Sequence, residues 1–588
     1  MDVNRRTVIR SATGVAAMTA FGVAEGAAGT AFAATSSSGS SSKSSSTTSS
    51  AYSLEFDPTA WSYDATNDVY YQLGKVYVAN PAATDYENLS IYVPGAYLTA
   101  TANSDGTTYT AKLNRKGTVG QYSGGTAPIV IPVNTPGYAQ QAPATSYSYS
   151  SVSQYLAAGL VYVWPGLRGR DSSTSTRSDA APWGVTDLKA AIRFLRYNES
   201  VLPGSTDDIV LFGMSGGGAQ DTVAGTSGDS PLYHPYLRTI GAAMEDAQGR
   251  PLSDAVAGVM AWCPITNLAE ANLSYEWNMG QFASTGTRAS TTWTSAYSAD
   301  LAKAWPKYLN RLGLRDEHGR RLELTGSSSG TYLAGSYYDH LIEVITTSLN
   351  NFLSDNTFPY TITTQGGPPG SGQTGTSTTY ETVDDYIAYL NTGSTWVTYD
   401  ATTNTATVSG LEGFVGSQKN ANKPVGAFDG VSRGQGENSV FAMGLGVPSH
   451  FAPLTRDVVK ANETTYATYS DWDSAYGAAA YDTDFAKKDS VGKDMAWRGD
   501  AYNPLYFLSP AFAGYRQSKV ARHWRIRTGI MQGDTGNTTE INLRLALRNY
   551  GIRDVDFATV WAKAHTMAER TGDATTNFIS WVESVVKK

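Results

Sequence analysis

The residues best suited to chemistry form a Gly-Met-Ser-Gly-Gly sequence centred on Ser215, directly after the apolar run 209–214. A serine in the pattern Gly-x-Ser-x-Gly after a strand lies on a sharp strand-to-helix turn, where its hydroxyl is exposed and the glycines avoid clashes. The following residues, Gly216–Thr226, can open a helix whose amino terminus favours negative charge. The pattern predicts a nucleophilic Ser215, with the amide of Gly216 as one donor to a substrate oxyanion.

A serine nucleophile needs a base to take its proton, and the base needs an acid to orient it. In the order typical of this turn, serine, acid and histidine follow one another, and the histidine lies after the last strand. Only one histidine, His565, directly follows a late strand-like run, 555–561. We expect His565 to be the base. The six candidates are His234, His318, His340, His450, His523 and His565.

The acid is expected in the turn after the strand-like run 523–527, where Asp534 is the only carboxylate between residues 529 and 535. We predict that Asp534 orients His565. A second oxyanion donor should come from the loop after the apolar run 128–133. Pro136 has no amide proton, so Thr135 or Gly137 must supply it, and we favour Gly137.

Strand-like runs and helix-like periodicities alternate along most of the chain, which predicts a parallel sheet. The alternation stops after residue 267 and resumes near residue 523. We predict an α/β-hydrolase fold with a large cap domain inserted between the sixth and seventh core strands. The core then covers residues 53–268 and 511–588, and the cap covers 269–510. The predicted strands are 69–78, 89–93, 128–133, 159–164, 209–214, 256–262, 523–527 and 555–561; the predicted helices are 183–198, 216–226, 298–312, 338–353, 539–550 and 575–586.

The first 33 residues have the features of an export signal. Arg5 and Arg6 form a twin-arginine pair, a weakly apolar stretch follows, and Ala31-Phe-Ala33 fits a cleavage site. Residues 34–52 are rich in serine and threonine and predict a flexible tether. We expect export through the twin-arginine machinery to the cell envelope or the exterior, without a transmembrane helix or a lipid anchor.

Composition excludes some functions. The 588 residues carry a net charge of −8, and no basic stripe with interleaved aromatics occurs, which argues against binding of nucleic acid. The single cysteine, Cys263, lies in an apolar run and is expected to be a core thiol. An exported protein with one cysteine depends on its core, because it has no internal disulfide.

From about residue 70 to its end, the chain resembles the bacterial tannases of subtype B and their feruloyl-esterase-like relatives. Several segments carry the resemblance in the same order along the chain. They are 165–170, 184–190, the serine turn, 263–268 with 275–277, 423–429, 436–438 and 565–570.

The resemblance implies hydrolysis of esters of gallic acid or related phenolic acids through an acyl-enzyme, with no cofactor or metal. It also implies that a lysine and a glutamate of the cap, with an aspartate beside the catalytic group, bind the galloyl hydroxyls. Lys423, Glu437 and Asp534 stand in the matching motifs. An ammonium and carboxylates supply the donors and acceptors that vicinal phenols need.

One position departs from the family pattern. Where the family often has Asp-x-Asp-Thr, this chain has Gln532, Gly533, Asp534 and Thr535. Either Asp534 shifts to orient His565 and its contact with the phenol is lost, or Gln532 orients the histidine weakly and Asp534 keeps its role toward the phenol. In the first case Gln532 is predicted to be a substrate-binding residue. An amide stabilises an imidazolium less well than a carboxylate does, so the second arrangement predicts a slower enzyme. We prefer the first.

Our leading hypothesis is thus an exported serine esterase of phenolic-acid esters. A generic carboxylesterase or peptidase of the same fold is one alternative. A non-catalytic binding protein on a hydrolase scaffold is the other, and Gln532 is the feature that favours it.

Overall fold

The computed structural model describes residues 52–172, 180–363 and 375–586. The predicted signal, residues 1–33, and all but the last residue of the predicted tether lie outside this part. The strands are β1 Ser62–Asp64, β2 Val69–Val76, β3 Asn88–Pro94, β4 Leu98–Ala102, β5 Tyr109–Leu113, β6 Thr118–Val119, β7 Tyr122–Ser123, β8 Pro128–Val133, β9 Val161–Pro165, β10 Ser205–Met214, β11 Gly258–Trp262, β12 Tyr360–Thr363, β13 Ser377–Tyr380, β14 Val397–Asp400, β15 Thr405–Val408, β16 His523–Gly529 and β17 Asp554–Val560.

The α-helices fall between and after these strands. They are α1 Tyr149–Ala157, α2 Trp183–Tyr197, α3 Gly216–Thr226, α4 His234–Thr239, α5 Leu268–Asn278, α6 Trp293–Arg311, α7 Ser336–Asp355, α8 Val383–Leu390, α9 Leu411–Gln418, α10 Gly436–Val440, α11 Pro453–Tyr466, α12 Ala478–Phe485, α13 Met495–Ala501, α14 Pro504–Leu508, α15 Thr538–Tyr550 and α16 Ala574–Val585.

Nine strands form the main sheet, in the order β1-β2-β3-β9-β8-β10-β11-β16-β17. Six neighbouring strands of this sheet are parallel, namely β9, β8, β10, β11, β16 and β17. Strands β1, β2 and β3 form an antiparallel edge. Every residue of β8 and β11 is buried, as expected where helices cover both faces of a parallel sheet. Helix α3 packs against β10 and β11, and α15 packs against β16 and β17.

The predicted α/β-hydrolase fold is confirmed, and each predicted strand and helix is present with small shifts at its ends. The short edge strand β1 was not predicted, so the sheet has nine strands rather than eight. Between β11 and β16, helices α5–α14 and the hairpins β12–β13 and β14–β15 intervene, and neither hairpin joins the main sheet. That this stretch is a separate cap domain stays a prediction.

In the part of the chain that the structure describes, no helix is long and apolar enough to cross a membrane. Cys263 is buried with its thiol free, as expected of a core thiol.

Candidate active site

Ser215 lies between β10 and α3 with a positive φ of 60° and a ψ of −123°. A non-glycine residue in this region of the Ramachandran plot is strained, and such strain persists where the surroundings fix it. The Ser215 amide donates to the Trp262 carbonyl at 3.0 Å, and its own carbonyl accepts from the Ala219 amide at 2.9 Å. The predicted strand-to-helix turn is therefore present.

Two glycines after the serine allow the loop that follows β8 to approach α3 closely. A Cβ on Gly217 would lie 1.9 Å from the Val133 carbonyl oxygen, and one on Gly216 would lie 2.4 Å from the Tyr138 amide nitrogen. Gly137 belongs to the 3₁₀ turn Pro136–Tyr138, which packs on α3. The two predicted oxyanion donors, Gly216 and Gly137, are thus on neighbouring backbone segments.

His565 follows β17, whose carboxyl end lies at the same edge of the parallel sheet as that of β10. Two hydrogen bonds fix the backbone of this loop. The Cys263 thiol donates to the Thr566 carbonyl at 3.2 Å, and the Met531 amide donates to the Lys563 carbonyl at 3.1 Å. Among the described residues, no hydrogen bond joins the Ser215 hydroxyl to the His565 ring. Such bonds are often long before substrate binds.

Gln532 and Asp534 both lie beside Nδ1 of His565, at different distances. The Gln532 Oε1 is 2.7 Å from Nδ1, a hydrogen bond, whereas the nearest Asp534 oxygen is 3.5 Å away. Gln532 is 2% exposed, and the Asp534 side chain is 39% exposed. The His565 ring is thus hydrogen-bonded to the Oε1 of Gln532 and not to the predicted Asp534. Which of the two orients His565 during catalysis stays a prediction.

Burial is the main cause that lowers the pKa of His565 below its usual value. The Asp534 carboxylate opposes this effect, while the ammonium groups of Lys423 and Lys419 lower the pKa further. A histidine with a lowered pKa is neutral at pH 7, and the neutral ring can accept the proton of a serine hydroxyl.

Lys423 and Glu437, predicted from the family motifs, come together. Lys423 Nζ lies 3.8 Å from Glu437 Oε1 and 4.2 Å from the centroid of the Phe428 ring, and the two charged side chains are 20% and 12% exposed. Glu437 is on α10, which packs against the 3₁₀ turn that contains Gly137. The pair is therefore half-buried beside the oxyanion loop, and the charge of Lys423 reaches His565.

Two buried charged residues behind Gln532 were not predicted. The Gln532 Nε2 donates to Glu540 Oε1 at 2.5 Å, and Lys419 Nζ donates to the Gln532 backbone carbonyl. In the sequence, Glu540 is an ordinary acid in the first turn of a helix, and no motif marks Lys419. Since both N–H groups and the oxygen of the Gln532 amide bond to protein groups, no donor of this side chain is left for a substrate.

Comparison with known proteins gives a match of one family model to part of the chain and a set of similar structures. The model of the esterase family described as BD-FAE matches residues 119–303, which include the Ser215 turn. A native tannin acyl hydrolase from Lactobacillus plantarum is 25% identical with a TM-score of 0.64, over 91% of this chain and 99% of that one. The chain resembles the bacterial tannases.

Two further tannase structures are similar to this chain. A tannase from Fusobacterium nucleatum is 25% identical with a TM-score of 0.65, over 91% of this chain and all of that one. A tannin acyl hydrolase in complex with ethyl gallate is 26% identical with a TM-score of 0.63, over 91% and 99%. No curated protein matches in sequence. These similarities support an ester hydrolase with a small-molecule substrate.

The described part of the tannase-like chain contains no group of three or more His, Cys, Asp and Glu side chains that could hold a metal ion.

Proposed function

We propose that the protein is a serine esterase that hydrolyses esters of phenolic acids through an acyl-enzyme. The observation that carries the proposal is the strained Ser215 at the carboxyl end of β10, with the His565 loop at the same edge of the sheet. The likeness to tannases, one of them bound to ethyl gallate, supports a phenolic acyl group.

The reaction uses Ser215 as the nucleophile. Its Oγ attacks the ester carbonyl carbon, its proton passes to Nε2 of His565, and the amides of Gly216 and Gly137 stabilise the oxyanion. The ester C–O bond breaks, and His565 returns the proton to the departing alcohol. Water then attacks the acyl-enzyme and gives a proton to His565, which passes it to Ser215 as the acid leaves.

The phenolic part of the substrate is assigned to Lys423, Glu437 and Asp534. The first two form a half-buried pair beside the oxyanion loop, and the partly exposed Asp534 lies beside His565. Vicinal hydroxyls both donate and accept, so a cation and two carboxylates match them. Two of the three residues lie between β11 and β16, in the stretch predicted to be a cap.

Replacement of the serine tests the chemistry. We expect Ser215→Ala to lower kcat on methyl gallate by about 10³-fold or more, because the nucleophile is lost. Ser205→Ala, at the opposite end of β10, is the matched control and should retain activity. Equal rates for Ser215→Ala and the wild type would overturn the proposal.

Comparison of substrates tests the specificity. Lys423→Ala should lower kcat/KM on methyl gallate or methyl ferulate by about 10- to 100-fold and leave a short aliphatic ester nearly unchanged, because only phenols lose a charged contact. The exposed Lys460→Ala serves as the control. A loss shared by all esters would favour a generic carboxylesterase.

Gln532 at the acid position favours a second candidate, a binding protein without catalysis. Labelling of Ser215 by a fluorophosphonate distinguishes the two, because only an activated serine reacts. Ligand binding without labelling would support the second candidate.

Export through the twin-arginine route is part of the proposal and rests on Arg5, Arg6 and the cleavage-like sequence. The variant with Lys at both arginine positions should accumulate in the cytoplasm, while the parent appears outside it. Unchanged export of this variant would argue against the route.

A further inference from the structure

The Gln532 side chain connects the active-site histidine to a buried carboxylate. Its Oε1 lies 2.7 Å from His565 Nδ1, while its Nε2 donates to Glu540 Oε1 at 2.5 Å and to Thr528 Oγ1 at 2.9 Å. Gln532 and Glu540 are almost completely buried, at 2% and 1% exposure. The amide therefore bridges the His565 ring, which is 12% exposed, and a carboxylate that is out of contact with water.

The orientation of this amide follows from the groups around its nitrogen. An ionised Glu540 carboxylate can only accept. The Thr528 hydroxyl directs its one hydrogen to Glu540 at 3.1 Å or to the Cys263 sulfur at 3.7 Å, so in either case it accepts from Gln532. Both amide hydrogens are thereby used. The carbonyl oxygen must face His565, and Nδ1 must carry the proton, which leaves Nε2 free to accept the proton of Ser215.

We propose that Glu540 is the acidic positioning residue of the catalytic group and that it acts on His565 through the Gln532 amide. The inference rests on the proposed serine mechanism. In this chain the carboxylate lies one side chain farther from the histidine than in the family pattern, and the amide takes the position next to the ring. Glu540 fixes the amide, and the amide fixes the tautomer and the orientation of His565.

Hydrogen bonds and the charge of Lys419 favour the ionised form of Glu540 and partly offset the burial that raises its pKa. It accepts from Gln532, from Thr528 and, at 3.4 Å, from the Thr535 hydroxyl. The buried Lys419 binds the Gln532 backbone carbonyl and places a positive charge nearby. These contacts come from β16, from the loop after it and from the segment after α9, so separate elements converge on one buried acid.

Asp534 is thereby released from the role of orienter. Its nearest oxygen is 3.5 Å from Nδ1, outside ordinary hydrogen-bond length, and its side chain is partly exposed. It remains available to a substrate phenol. The second of the two alternatives that the sequence left open is the one that this arrangement favours.

An isosteric exchange of charge tests the proposal. In Gln532→Glu, two carboxylates meet at the former 2.5 Å contact and must share a proton. In Glu540→Gln, the charge is lost. We expect each single variant to lower kcat by about 10- to 100-fold, and the double variant to return to within about threefold of the wild type, because it again pairs one carboxylate with one amide.

The pH profile supplies a readout that a purely structural role would leave unchanged. Burial raises the pKa of Glu540 to about 7, against the opposing charge of Lys419, while burial lowers the pKa of His565. The rate should rise as Glu540 ionises, so the acid limb of kcat/KM in the wild type lies near pH 7. In Glu540→Gln only the limb of His565 remains, at lower pH. The other titratable groups that face the pair are Lys419, Lys423, Asp534 and Cys263.

Glu270→Gln is the matched control. Glu270 is a buried carboxylate of α5 whose pKa burial also raises to about 7, and it has no contact with Gln532 or His565 among the described residues. The same isosteric change there should leave kcat and the acid limb as in the wild type. Thermal unfolding of all variants identifies any that fail to fold.

A measurement on the unaltered protein needs no variant. Nitrogen-15 shifts of His565 at pH 8 should show the proton on Nδ1. A proton on Nε2, an unchanged kcat and acid limb in a folded Glu540→Gln, or a folded double variant no better than the weaker single variant would each overturn the inference. If Ser215→Ala also kept full activity, the serine mechanism itself would fail, which is a separate result.

Discussion

Two buried carboxylates, Glu540 and Asp429, lie behind the candidate site, and they differ in what they hold. The side chains of Gln532, Thr528 and Thr535 donate to the Glu540 carboxylate, and the chain of contacts ends at the ring of His565. Asp429 accepts from two side chains and two backbone amides. These are His450 Nδ1 at 2.7 Å, Asn438 Nδ2 at 2.8 Å, and the amides of Phe451 and Ala452 at 2.9 Å each.

The Asp429 cluster fixes the path of the backbone near the predicted phenol-binding pair. The Asn438 side chain accepts from the amides of Gly430 and Gln435 at 3.0 and 3.2 Å and thereby joins the two segments that carry Lys423 and Glu437. In the proposed mechanism, Glu540 thus fixes the protonation of His565, whereas Asp429 fixes the position of the main chain. Changes at the first should alter kcat and its pH dependence, and changes at the second should alter stability and KM.

The largest effect should come from Asp429→Ala. Removal of this acceptor leaves four buried donors without it, and we expect the free energy of unfolding to fall by about 3–5 kcal/mol. Unfolding in urea measures the loss. Asp457→Ala, with a side chain 56% exposed on α11, is the control and should change stability by less than about 0.5 kcal/mol.

The kinetics of Asp429→Ala also test whether the Asp429 and Glu540 clusters act independently. At a temperature where it stays folded, its acid limb of kcat/KM should match that of the wild type. A shifted limb would show that the two clusters are not independent.

An intermediate effect is expected from Tyr275→Phe. The Tyr275 hydroxyl accepts from the amides of Asn422 and Lys423 at 3.1 and 3.0 Å and donates to the Asn422 side chain at 3.0 Å. Without it, the amides of Asn422 and Lys423 lose their acceptor, although Arg288 still donates to the Lys423 carbonyl at 3.0 Å. KM for methyl gallate should rise about three- to tenfold with kcat nearly unchanged, and stability should fall by about 1–3 kcal/mol.

Steady-state kinetics on methyl gallate and on a short aliphatic ester measure this effect. Tyr389→Phe, whose exposed ring lies on α8, is a matched control. A fall in kcat on both esters would mean that Tyr275 supports the reacting groups rather than the phenol contacts.

The sequence predicts where the Ser215 turn and the His565 loop lie, and it does not predict the Glu540 cluster. The Ser215 turn and His565 are found because a strand, a tight turn and the order of elements leave local patterns. Glu540 leaves none: in the first turn of α15 it looks like an acid that complements the helix dipole. Only the fold brings it next to Gln532.

Gln532 shows the same limit of prediction from sequence, because the sequence identifies the residue but not its partners. The family pattern identifies it as a departure, but its meaning depends on Lys419, which is 113 residues away in the chain, and on the buried Glu540. The edge strand β1 is missed for a simpler reason, because three residues are too few to show an alternating pattern.

The smallest effect on stability and rate should come from substitution of Cys263, although its thiol contacts the histidine loop directly. Its sulfur accepts from the Gly529 amide at 3.4 Å, and its thiol donates to the Thr566 carbonyl at 3.2 Å, so it holds main chain on both sides. Burial raises the pKa of the thiol to about 11, and at pH 8 it is neutral and inaccessible. Iodoacetamide should not label the native protein at pH 8, whereas it should label the protein in urea.

Cys263→Ser keeps a donor and an acceptor in place, and we expect kcat within about twofold of the wild type, an unchanged acid limb and a stability loss of about 1 kcal/mol. Kinetics across pH and urea unfolding measure these values, with the Glu540→Gln variant as the contrast. A shifted acid limb in Cys263→Ser would mean that support of the main chain alone can change the protonation of His565. An unshifted limb beside a shifted one in Glu540→Gln would mean that the carboxylate of Glu540, and not every buried group near the histidine loop, acts on the reaction.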